Sequence, residues 1–246
     1  MKRLIFSALV LAGSSLALAD KGHAVDSDSA IKSPAEKDKV AAFDILAAHV
    51  HRKGTVVTFH MTTNGVAGSE IPKPVGALGG APAATYVWPT SLDPSTVGFD
   101  EGAGILAMAA AIHPDFDDTP LFDENADGDL GNDGGYWHSH WVVLHPTEAC
   151  GPGALAVKDI PEGTSPNLPA TWPGLPILLD SPGWTPIFDG PEVKISVAMQ
   201  TDVSGMSYDG VTAALRVNEN VHAPLFCVTD VFDIASGDLS LPGKIK

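Results

Sequence analysis

Several short runs of this chain alternate apolar and polar residues with a period of two, the pattern of half-buried β-strands. Phe43 to Arg52 and Thr55 to Thr63 form the clearest pair, with Lys53-Gly54 between them as a hairpin turn. With a two-residue turn there, Arg52 faces Thr55, and His49 and His60 become diagonal neighbours on one strand face. Further strands are predicted at Thr85–Trp88, Tyr136–Leu144, Ala154–Lys158, Glu192–Gln200, Val211–Asn218 and Leu225–Ile234. The apolar run Gly104–His113 fits either a buried strand or a short helix, because its alanines suit both. The segment 160–190 is rich in proline and reads as a long loop laid over the core. No repeat or composition break divides the chain, so it reads as mainly β: one sandwich-like domain over 39–246, with long loops and few short helices.

The first 38 residues have a different character. Lys2 and Arg3, the apolar Leu4–Leu11 and the small-x-small Ala17-Leu18-Ala19 form a signal peptide over residues 1–19. Residues 20–38 are polar, charged and short of anchors, and read as a disordered leader. The expected product is secreted, in the periplasm or at the outer cell surface. Beyond the leader, the longest apolar stretch is Ala103–Ile112, about half the length that crosses a bilayer, so no membrane span is expected. In an oxidising compartment the two cysteines, Cys150 and Cys227, are expected to pair, with buried free thiols as the alternative. The formal net charge of −16 argues against nucleic acid and anionic lipid as partners and suits a protein that handles metal ions.

The candidate chemistry is concentrated between His113 and Pro146. Asp123, Asn125, Asp127 and Asp129 alternate around Gly128, the opening of a loop that offers oxygens to calcium. Position twelve is Gly134 rather than Glu, so the shell would be closed by Asp133, or by Asp115, Asp117 or Asp118 from the preceding segment. A solvated acidic turn is the plainer alternative. Just after the loop, His138 and His140 project to one face of a strand, about 7 Å apart at Cα, while Trp137, Ser139 and Trp141 project to the other. Imidazoles so placed suit copper or zinc. His49, His60, His113, His138 and His140 are therefore the candidates for a copper or zinc site, against the alternative of buried histidines satisfied by hydrogen bonds.

The segments AAFDILAAHV, YVWPTSLDPSTVGFDEGAGILA, HPDFDDTPLFDENADGDLGNDGGYWHSHWVVL, ACGPGALAVKDIPEG and TWPGLPILLDSP resemble the secreted, surface-associated copper-binding proteins of methane-oxidising bacteria. The resemblance spans most of the chain after the leader. It implies one Cu(I) held by two histidines, a water and a tryptophan oxidised to kynurenine, with calcium bound as well. It also implies a role in copper acquisition or storage, association with the cell surface, and His60 with His138 or His140 as the ligand pair. One departure from the family pattern is plain: this chain has no Trp-x-His. No G-x-S-x-G or H-E-x-x-H occurs, so a hydrolase is not expected, and the protein reads as a binder rather than an enzyme. A copper- or zinc-dependent enzyme and a calcium-stabilised surface or adhesion domain are the competing classes.

Overall fold

The computed structural model describes residues 29–245; the expected signal peptide over 1–19 and the first part of the expected leader lie outside the described residues. Fourteen strands follow in order: β1 (Ile31–Lys32), β2 (Ile45–Lys53), β3 (Val56–Thr63), β4 (Pro82–Pro89), β5 (Ile105–Ile112), β6 (His138–Pro146), β7 (Leu155–Val157), β8 (Leu179–Asp180), β9 (Ile187–Asp189), β10 (Glu192–Ala198), β11 (Ser207–Tyr208), β12 (Val211–Val217), β13 (Phe226–Ile234) and β14 (Gly243–Lys244). Helical structure among the described residues is limited to short 3-10 turns. The fold is mainly β with long loops, as the alternation predicted.

Two assemblies carry it. One is a five-stranded sheet in the order β1-β2-β3-β10-β9, and the other runs β5-β4-β12-β13-β7-β6. In the second, β6 also pairs with β5 through seven successive residues from Ile105↔Leu144 to Ala111↔His138, closing a six-stranded barrel. The sandwich therefore has a flat layer and a barrel wall as its two halves. The alanine-rich run is strand, not helix, because β4 and β6 satisfy its backbone groups on both edges.

Strand parity divides the interior into two cores. Leu106, Met108, Ala110 and Ile112 of β5 join Trp88, Trp141, Tyr86 and Phe59 between barrel and flat sheet. Ala107 and Ala109 of β5 face the barrel lumen with Val142, Leu144, Ala213 and Leu215. The first core is filled by aromatics, each burying about 150–250 Å². The second is lined in part by alanines, which leave space.

Three expectations need correction. The hairpin turn is Gly54-Thr55, since Lys53 pairs with Val56 and Gly54 takes φ +64° at the first turn position, where glycine is unstrained. His49 therefore lies directly opposite His60, not diagonal to it. Residues 29–38 are not loose: Ile31 and Lys32 pair with Ala48 and Ala47, and the Glu36 amide donates to Asp44. The segment 160–190 is mostly loop, but it contributes β8 to the edge of β6 and β9 to the edge of the five-stranded sheet beside β10.

The bond Cys150–Cys227 is present, with its Cα atoms 5.6 Å apart. It sits where β13 meets β7, a junction with a single strand pair, Cys227↔Ala156.

Candidate metal centre

The lumen face of β5 carries residues 105, 107, 109 and 111, and the next residue of that parity is His113. On β6 the same face carries His138 and His140, continuing to Val142 and Leu144. Strand alternation alone thus delivers three imidazoles to one end of the barrel. The fourth member, Asp118, arrives from the loop after His113. All four side chains are at least nine-tenths buried, and one ligand atom from each lies within 4.8 Å of the others.

The rings share one orientation scheme. Each presents Nδ1 to a backbone carbonyl: His113 to Phe116 at 2.9 Å, His138 to Tyr136 at 2.8 Å, and His140 to Asp180 at 3.3 Å. A carbonyl can only accept, so each Nδ1 carries the hydrogen and each neutral ring turns a bare Nε2 inward. Those nitrogens stand 3.2, 3.2 and 3.3 Å from Asp118 Oδ1, and the Nε2 atoms of His113 and His138 are 2.9 Å apart. Asp118 Oδ1 and His140 Nε2 have no hydrogen-bond partner. Acceptors facing acceptors in a buried site are unfavourable unless a cation joins them, either a proton shared among the inner atoms or a metal. The carbonyl contacts to the far ring nitrogens are what fix imidazole orientation around metals.

The surroundings hold the cluster in place. His113 stacks on Phe116 with centroids 4.0 Å apart and planes at 5°. Ser181 Oγ donates to the Asp118 carbonyl at 2.6 Å and stands 3.2 Å from His140 Nδ1. The acidic loop returns across the site at Gly134, whose carbonyl accepts the His113 amide at 3.0 Å. A Cβ on Gly134 would lie 1.7 Å from the Phe116 carbonyl oxygen, the same oxygen that orients His113. Only glycine fits there.

Burial and charge pull the titrations apart. Burial pushes His138 down to about 4, against the pull of the Asp118 hydrogen bond. Burial also works against a charged His113, but the Asp118 carboxylate outweighs it and raises that ring. Asp118 is disfavoured as an anion by burial, yet His140 and His113 hold it well below the usual carboxylate range. The cluster is thus an anionic carboxylate inside a ring of nitrogen donors, a donor set suited to a transition-metal cation.

The remaining candidates stand elsewhere. His49 and His60 lie on the outer face of the flat sheet. His60 Nε2 pairs with Glu192, and His49 Nε2 lies 3.0 Å from Ser29 Oγ. Phe59, on the opposite face of β3, packs edge-on against Trp141 at 5.6 Å, and Trp141 in turn points away from His138 and His140. The thickness of both layers therefore separates His60 from the cluster, and the expected pairing of His60 with His138 or His140 does not form. Trp88 and Trp141 lie in the sandwich core, and Trp137 packs against it, so none of these three indoles faces the histidines.

In the acidic loop the oxygens serve the loop's own turns. Asp123 accepts the amides of Asp127 and Gly128, Asn125 that of Asp127, Asp127 that of Asp129, and Asp129 that of Gly131. Asp133 is buried, accepts the Glu124 amide, and gives its own amide to Asp117. Among the described residues the histidine cluster is the group of three or more His, Cys, Asp or Glu that gathers closely enough to hold a metal. Asp118 was legible in the sequence only as a spare calcium ligand; its place beside three histidines depends on the loop's path.

No protein family matches the chain, and comparison with characterised proteins and with solved structures gives no match. Among the described residues no helix is long and apolar enough to cross a membrane.

Proposed function

We propose that this is an exported copper-binding protein whose centre is His113, Asp118, His138 and His140. The observation that carries the reading is the convergence of three Nε2 atoms and Asp118 Oδ1 within 4.8 Å of one another in a buried site. Copper heads the divalent affinity order for nitrogen and oxygen donors, and three imidazoles with one hard carboxylate favour Cu(II) over the Cu(I) that the family resemblance implies. The role is acquisition or storage of the metal, with the acidic loop Asp123–Asp133 binding calcium as a support to the fold. Export agrees with the signal-like first 19 residues and with a disulfide, a bond that persists in oxidising compartments.

The test is metal content after stripping and reconstitution with equimolar Cu(II) and Zn(II). One copper per chain is expected, with nitrogen couplings in its paramagnetic resonance spectrum. Asp118→Asn and His140→Ala should each weaken copper at least ~10-fold, about 1.4 kcal/mol. Preferential loading with zinc would transfer the site to that metal, and undiminished copper affinity in both variants would refute the ligand assignment.

A further inference from the structure

The barrel lumen is not filled. A cavity of about 390 Å³ runs inside it, walled by Val87, Ala109, Ala111, Ala213, Leu215 and Phe226, and reaching His113, Asp118 and His140 at its inner end. Ile105, Val231 and Leu239 also line it and are exposed, so it meets solvent at their side. Ile105 and His113 stand at opposite ends of the lumen face of β5, so the opening and the cluster are separated by the length of that strand. The space exists because lumen positions 109 and 111 of β5 and 213 of β12 are alanine, whereas three of the four sandwich-facing positions of β5 carry Leu106, Met108 and Ile112, with Ala110 the fourth. A cavity of this volume lies in the range of small-molecule sites.

We infer that the lumen binds a medium-chain carboxylic acid, with its apolar tail along the alanine-lined wall and its carboxylate on the metal. The inference rests on the proposed centre. Three neutral imidazoles and one carboxylate on a dication leave a single positive charge, which a monoanion complements. No lysine or arginine lines the cavity, and Asp93 lines it at the side away from the cluster, so an anionic head has one favourable place. The polar side chains along the wall are already engaged: Thr85 Oγ1 donates to the Ala213 carbonyl and Thr90 Oγ1 to that of Leu106. What remains for the body of a ligand is apolar contact. A six-stranded barrel is narrower than the eight-stranded ones that just enclose a small ligand, which favours a linear chain over a ring system.

The experiment titrates decanoate and decan-1-ol into the copper-loaded and the metal-stripped full chain, by calorimetry and by the copper resonance spectrum. Decanoate should bind the loaded chain at least ~10-fold more tightly than the stripped one and perturb the copper signal, while decan-1-ol should bind both alike and leave the signal unchanged. Ala213→Leu, which narrows the lumen, should weaken decanoate by at least ~10-fold with copper stoichiometry still one per chain. Ala109→Leu serves if Ala213→Leu does not fold. Copper binding without any response to decanoate would overturn the lumen assignment and leave the metal reading intact. Failure to bind copper or zinc at all would overturn the centre, and the head-group assignment with it. Equal affinity of the loaded and stripped chains for decanoate would overturn the metal as its anchor.

Discussion

The outer hairpin and the inner barrel wall each offer histidines spaced for a metal, and the structure uses them differently. On the hairpin, His49 and His60 face each other across β2 and β3, but His60 is paired with Glu192 and His51 stacks on His49 at 5.2 Å. In the barrel, His113, His138 and His140 have their outer nitrogens tied to backbone carbonyls and their inner nitrogens turned together towards Asp118. Spacing along a strand does not distinguish the two sets. The direction in which each ring's hydrogen is spent does. A ring whose hydrogen goes to a carbonyl keeps a lone pair for a metal, whereas the largely buried His60 already has its Nε2 against the Glu192 carboxylate.

The sharpest way to break this contrast is to delete each pair. His138→Ala with His140→Ala should lower copper affinity by at least ~100-fold, roughly 2.7 kcal/mol. His49→Ala with His60→Ala should change it less than about twofold, measured by competition with a chromophoric chelator. An equal loss in both double variants would erase the distinction between the regions.

The next effect is on pH. Protons compete for the same Nε2 lone pairs, so copper affinity should fall as pH falls. Because burial lowers His113 but the Asp118 carboxylate and the backbone hydrogen bonds together raise it above its ordinary value near ~6.5, the decline should begin at a higher pH than for an unperturbed imidazole. His138, pushed to about 4, should contribute only in strong acid. A pH series of the same competition, repeated with Asp118→Asn, shows whether the onset moves down.

The smallest effect concerns the neighbouring acidic loop. A calcium chelator should lower the melting temperature by a few degrees, by removing an ion bound only to the native state. Asp127→Ala should do the same without chelator, and neither should alter copper stoichiometry. Unchanged melting in both would reduce the loop to a solvated run of turns.

Much of the fold was legible from alternation. The main strands fall within a few residues of their expected positions, and the parity of His138 and His140 against Trp137 and Trp141 is as read. Short strands such as β8, β11 and β14 were not legible, because two residues carry no period. Barrel closure was equally hidden: the seven pairs joining β5 to β6 span a connection of 25 residues that no local pattern encodes. The site was half visible. Its histidines were among the candidates, but the choice between His60 and His113 depended on which face of which layer each strand presents. Asp118 could not be told from its acidic neighbours until the Gly134 crossing fixed the loop.

The bond between Cys150 and Cys227 acquires a meaning beyond the entropy of the unfolded chain when its place on the barrel is considered. A closed ring of strands has a circumference, and that circumference can grow only where adjacent staves are weakly joined. Around this ring the neighbours of β5 are held by long ladders, and the β13–β7 joint by one residue pair alone. The covalent bond lies on that joint and works as a hoop. It ties the ring at its most weakly paired seam, so a ligand of the kind proposed for the lumen would meet a wall held there by a covalent bond.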